Sequence, residues 1–297
     1  MRTALRLSAA MSALLASALA TAAPPKPFDK EVPADARGVV QITNTAGSVI
    51  VEGWDRSQVS VHGELGEGVE RVDVSGESGR TIIKVVLPGH SWRGGEAKLR
   101  VQVPKDSELQ LTTVSADARV TGVNGVQRVN AVSGDVTTEI AGADLELKTV
   151  SGDVRIKGHG QSARLHVSTV SGDVHLEHGA GDLETSSVSG SLVVSLDSAR
   201  AVHARTTSGD LRFEGRLTRG ASFDAASVSG DLTVRASAEG GYSYEVSTFS
   251  GDISDCFDAK SEKTGGVGHS LSGSRGEGAG HMRLKTMSGD VELCDRN

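Results

Sequence analysis

Seven aspartates follow a glycine in a repeated Ser-Gly-Asp triplet: Asp135, Asp153, Asp173, Asp210, Asp231, Asp252 and Asp290. A column of carboxylates is the kind of chemistry that a hard cation such as Ca²⁺ uses, because it gathers several oxygen ligands. Stacked at a strand spacing of about 4.8 Å, neighbouring carboxylates would also repel by roughly 1 kcal/mol in water. The same side chains can be satisfied by the amides of a turn. Ser191 interrupts the column, and the Gly-Gly-x-Gly-x-Asp spacing of calcium-binding nonapeptides is absent. The position therefore reads as turn chemistry first and weak cation binding second.

Another series stands six residues before each corner glycine: Arg128, Glu146, His166, Glu184, His203, Asp224, Glu245 and Arg283. In its middle, Glu146, His166, Glu184 and His203 alternate carboxylate and imidazole, a donor set suited to zinc or a similar ion. The plainer reading is a solvated ladder of opposite charges, each pair worth a few tenths of a kcal/mol. No metal or other cofactor is expected. Glu139, Arg155, Lys157, Glu177 and Arg212 could supply the patch of acids and bases that a solenoid polysaccharide hydrolase needs. Charges are spread evenly, however, and the aromatic platforms besides Phe are confined to Trp54, Trp92, Tyr242 and Tyr244. No Gly-x-Ser-x-Gly elbow, His-Glu-x-x-His pair or phosphate loop occurs. No catalytic residue is expected, and an enzyme is the third-ranked reading.

The elements that position these side chains follow from the repeat. Corner glycines fall at Gly134, Gly152, Gly172, Gly190, Gly209, Gly230, Gly251 and Gly289, with steps of 18 to 21 residues and a final step of 38. On either side apolar residues alternate with polar ones, as in Leu145 and Leu147 before a corner and Val154 and Ile156 after it. That is the period of a half-buried strand. Three residues before each glycine from Gly152 on stands Thr149, Thr169, Ser187, Thr206, Ser227, Thr248 or Thr286, an inward hydroxyl column. Glycine takes positive φ at little cost. Coils that cannot bury an apolar face alone gain stability by stacking. The fold class is all-β: a parallel β-solenoid, β-helix-like, with two short strands per coil of about 18–21 residues and Ser-Gly-Asp corners. Residues 23–110 are less regular and are expected to cap the solenoid, with 111–297 the regular repeats and an inserted loop at about 258–280. The stretch around Trp92 reads as a loop.

Residues 1–22 read as a signal peptide, with Arg2 and Arg6 ahead of an apolar run and Ala20-Thr21-Ala22 as the cleavage pattern. The run is too short for a transmembrane segment, and no later one approaches that length. Cleavage takes the formal charge from −7 to −9, which argues against nucleic acid as a partner. Cys256 and Cys294 lie five residues after their corner glycines, in the same phase of the repeat. If the intervening chain is an insertion, the thiols stack at bridging distance; if it is a full coil, they stand nearly 10 Å apart and cannot pair. An oxidising compartment favours the disulfide, which would clamp the last coil.

The Val-Ser-Gly-Asp-Val corners, the run Gly47-Ser48-Val49-Ile50-Val51-Glu52-Gly53-Trp54-Asp55 and the closing Leu284-Lys285-Thr286-Met287-Ser288-Gly289-Asp290-Val291 resemble the putative-adhesin family of bacterial exported proteins. The resemblance spans about Phe28 to Cys294. It implies a β-solenoid in the envelope or outside the cell and carries no catalytic residues. The resulting expectation is a non-catalytic binding or structural surface at the cell envelope, periplasmic or secreted, whose partner is an envelope glycan or envelope protein. The alternative is a periplasmic accessory in envelope sensing or maintenance.

Overall fold

The computed structural model describes residues 25–88, 95–257, 262–263 and 268–296. The expected signal peptide and most of the loop around Trp92 lie outside the described residues. All regular elements among the described residues are β-strands, and they build a solenoid-like all-β stack. In its middle, repeats pair in parallel. Strand Leu145–Ser151 lies between Gln127–Ser133 and Ser162–Ser171, with Leu147 opposite Val129 and Val167. Past the corner, Val154–Lys157 lies between Val136–Glu139 and Val174–Ser189, with Ile156 opposite Thr138 and Leu176. Period-two alternation turns Leu145, Leu147, Ile156, Leu165 and Leu176 into a core with almost no solvent access. Each such side chain contributes roughly 1.5–3 kcal/mol when covered, and only a neighbouring repeat can cover it. The hydroxyl column is buried as the alternation requires. Thr248 and Thr286 donate from it to the carbonyls of Gly289 and Gly230 at 3.0 and 3.4 Å.

The corners are stacked backbone on backbone. Gly152, Gly172, Gly190 and Gly209 have φ of 117°, 129°, 130° and 150°, the left-handed region that favours glycine. A Cβ placed on Gly172 would lie 2.2 Å from the carbonyl oxygen of Gly152, and one on Gly190 equally close to that of Gly172. Conformation and space therefore both exclude a side chain.

The repeats do not follow chain order at the carboxyl end. Gly280–Ser288 pairs in parallel with Leu211–Ser229 on one side and with Gly241–Ser250 on the other. Val291–Asp295 likewise lies between Leu232–Ala238 and Ile253–Asp255. In space the corners run Gly209, Gly230, Gly289, Gly251. The last repeat is thus threaded between the two that precede it, and strand His269–Gly276 lies antiparallel outside Gly241–Ser250. The amino end is built similarly. Val39–Trp54 sits between Glu108–Thr121 and the pair Arg80–Val86 and Ala97–Pro104. Antiparallel strands Gln58–Leu65, Lys26–Pro33 and Arg71–Glu77 finish that end, where a parallel edge would otherwise invite further strands.

Threading decides the cysteine question. Cys256 and Cys294 occupy neighbouring repeats and form a disulfide with Cα atoms 5.0 Å apart. The bond ties the threaded final repeat to the one outside it, so it clamps an inner coil and not an end one. Asp295 adds to the clamp: it accepts from the buried Tyr242 hydroxyl at 3.2 Å and from Arg275 Nη2 at 2.6 Å. Burial and the Asp295 charge hold the Tyr242 phenol above its ordinary value.

Two outcomes follow for unfolding experiments. Gly172→Ala should cost about 4 kcal/mol or more, because it adds a backbone clash to conformational strain. Gly220→Ala, where φ is 74° and the nearest atom to the new Cβ is 4.0 Å away, should cost only the left-handed penalty of roughly 1–2 kcal/mol. Equal losses in urea titrations would mean that stacking at the corner is not the constraint. Replacing both Cys256 and Cys294 by serine should remove about 4 kcal/mol on the chain-entropy account of a 38-residue separation. A melt unchanged from wild type would show that the threaded repeat holds itself in place.

Candidate binding surface

The corner aspartates are bonded to the backbone. Oδ1 of Asp117, Asp135 and Asp153 accepts the amide of the corner aspartate in the next repeat, at 3.0, 3.0 and 3.2 Å. Asp173 does the same for Ser191 at 2.8 Å, and Asp290 for Asp252 at 2.8 Å. An amide donor at each carboxylate offsets the repulsion of stacking like charges. One oxygen of each of these side chains is thereby committed to the turn.

The series six residues before the corners forms one ladder, and threading completes its alternation. In chain order Asp224 would face Glu245. In the structure Arg283 is in register with both and its Nε lies 3.1 Å from Glu245 Oε2. The column then reads Arg128, Glu146, His166, Glu184, His203, Asp224, Arg283, Glu245, alternating in sign wherever the histidines are protonated. The Glu-His-Glu-His quartet does not converge. Glu146 is held by Lys148 Nζ at 2.6 Å, with Arg128 Nε at 3.8 Å. His166 Nδ1 faces Glu184 at 3.3 Å, and His203 Nδ1 turns to Asp224 at 3.5 Å. Among the described residues no three His, Cys, Asp or Glu side chains are grouped to hold a metal ion. On the other strand, Lys157 stands in register between Glu139 and Glu177. The acids of the enzymatic reading are therefore interleaved with a cation.

Beside the first ladder runs another that the sequence reading missed. Asp144 accepts from Arg164 Nε at 3.0 Å, and Asp182 from Arg200 Nε at 2.8 Å. Asp144, Arg164 and Asp182 lie two positions before the first ladder, on the same outward face, so the alternation that exposed one column could have found the other. Arg200 sits at a register irregularity between Ala199 and Ala201, which hides its phase. The two columns line a shared groove of about 730 Å³, open along the stack, with Arg128, Glu146, Arg164, His166, Asp182 and His203 on its floor and walls.

A repeat of glycine corners, inward hydroxyls and parallel strands matches one family profile across residues 39–294. The chain belongs to the Toastrack DUF4097 family. Solved structures similar to this Toastrack chain include a putative lipid binding protein from Parabacteroides distasonis, 13% identical over 91% of this chain and 97% of that one, at a TM-score of 0.48. A putative adhesin from Bacteroides fragilis is also 13% identical over 91% and 97%, at 0.39. A putative cell adhesion protein from Clostridium sporogenes is 9% identical over 92% and 100%, at 0.27. No curated protein matches the chain.

The arginines set the pH response of this Toastrack groove. Hydrogen bonds from Arg164 and Arg200 hold the Asp144 and Asp182 carboxyls below their ordinary value of 3.8. A carboxyl lowered in the folded state stabilises it above the unfolded value, and the contribution fades as pH falls through the folded value. Arg164→Ala with Arg200→Ala should therefore move both carboxyls up towards 3.8 in an NMR titration. The stability difference from wild type, about 1 kcal/mol or less for such exposed pairs, should shrink below that pH. A difference that grows on acidification would contradict the assignment.

Proposed function

We propose that this Toastrack protein is an exported, non-catalytic binding surface at the cell envelope. It engages an extended envelope glycan or envelope protein that carries charges of both signs. The groove of paired ladders carries the reading. Its basic side chains each face an acid, so bulk charge does not select the partner, and a ligand competes by matching the pattern of alternate charges along the stack. Export is supported by the signal-like residues 1–22 and by a disulfide, a bond that persists in oxidising compartments. No helix among the described residues is long and apolar enough to cross a membrane. The formal charge of the mature chain speaks against nucleic acid.

Co-sedimentation with isolated envelopes and with peptidoglycan tests this. Saturable binding that weakens at least tenfold in Arg128→Glu with Arg164→Glu, and with added salt, is the expected result. Protease or glycan-degrading treatment of the envelopes then separates the two partner classes. Binding to no fraction, or binding indifferent to both arginines, would sink the proposal.

A further inference from the structure

A different column, two residues before each corner glycine, is apolar and faces solvent. It runs from Val114, at the degenerate corner Ser115-Ala116-Asp117, through Val132, Val150, Val170, Val188 and Val228 to Met287 and Phe249, with these residues between 41% and 60% exposed. Thr207 is its one polar interruption. Scattered exposed apolar side chains need no explanation, but these are neighbours in consecutive repeats. Together they present roughly 600 Å² per molecule, the top of the range for the largest patch on a monomer. Strand propensity accounts for valine and phenylalanine in such a position but not for methionine, and Met287 and Phe249 are the most exposed members of all.

We infer that this ridge is a self-association surface on which two copies of the chain pack side by side with parallel axes. Three observations select a second copy. The ridge repeats at the strand spacing of about 4.8 Å, and another copy is the partner whose own ridge repeats at the same interval. The columns flanking the ridge differ in charge. On one side stand the corner aspartates. On the other, four residues before the glycines, stand Arg205, Lys285 and the Glu146-bound Lys148, with no acid in that column. A two-fold axis along the stack sets the acidic flank of each copy against the basic flank of the other, whereas an axis across the stack sets acid on acid. The aspartate column also repels an anionic lipid surface. Two such ridges bury about 1,200 Å² in all, the lower end for a specific interface, so the dimer should form in about the micromolar range.

This association does not depend on the charged groove, and its test leaves that groove intact. In the parallel geometry every ridge residue faces its own counterpart. Val132→Cys, Val188→Cys and Phe249→Cys should therefore each give a disulfide-linked dimer under mild oxidation. Sedimentation equilibrium of the wild-type protein should show a monomer–dimer equilibrium that weakens at least tenfold in Val150→Lys with Val188→Lys. The thermal transition and envelope binding of that variant should stay unchanged. A monomer at all concentrations would overturn the inference, as would cross-linking through Val188→Cys alone, at the midpoint of the ridge, the mark of antiparallel packing. Capture of the protein by neutral phosphatidylcholine vesicles through the same valines would replace the second copy with a lipid surface.

Discussion

The fold depends on one close approach. At each corner from Gly152 onward the chain brings a glycine Cα so near the carbonyl of the glycine in the adjacent repeat that no Cβ fits between them. Backbone stacked on backbone leaves no freedom of register there. Every residue a fixed number of positions from one glycine must lie beside the residue equally far from the next. Repeats of 18 to 21 residues can still stack because the difference is absorbed elsewhere. The register shifts between the Val174–Ser189 and Leu192–Ser208 strands fall around Leu176, Gly179 and Gly181. The next strand pair shifts around Leu196, Ala199 and Ala201. Corners are therefore uniform and returns irregular, and the surfaces nearest the corners are the most regular parts of the molecule.

Threading at the two ends answers a problem that stacking creates. A parallel stack has no natural terminus, and its last repeat is covered on one face only. Here the final repeat is enclosed by neighbours on both sides, fastened by the disulfide and by the Tyr242 and Arg275 bonds to Asp295. Each outer neighbour is in turn covered by antiparallel strands. Gly280–Ser288 and Val39–Trp54 thus become interior, and the exposed ends are made of hairpin-like pairing that parallel repeats cannot extend.

What could be read in the sequence and what could not divides along the same line. Phase is a property of the repeat, so the inward hydroxyls, the corner glycines and the common phase of Cys256 and Cys294 were all visible. Neighbourhood is a property of the stack, and periodicity is silent about it wherever repeats leave chain order. That is why Arg283 was read beyond Glu245 when it lies between Glu245 and Asp224. Arg200 was lost because an irregularity displaces it from its phase. The ridge was lost for another reason. Its valines were absorbed into the Val-Ser-Gly-Asp motif as turn residues, although Thr149 facing inward requires Val150 to face out.

Stacking like on like also explains why the outer columns differ so much. A column may repeat one residue only if that residue tolerates its own copy about 4.8 Å away. Aspartate does so at the corner because the carboxylates of Asp135, Asp153, Asp173, Asp210, Asp231 and Asp290 each accept an amide of the next repeat. Valine does so because apolar side chains gain from contact with one another. Six residues before the corner neither escape exists: the side chains reach no backbone donor and six of the eight are Arg, Asp or Glu, so a uniform charged column would cost roughly 1 kcal/mol at each step in water. Alternation of sign is the arrangement left, and threading keeps it where chain order would have set Asp224 against Glu245. The aspartate and valine columns are thus permitted by what stacking offers them. The ladder has to be composed residue by residue, and a position that must be composed is where a pattern able to distinguish one partner from another can be written.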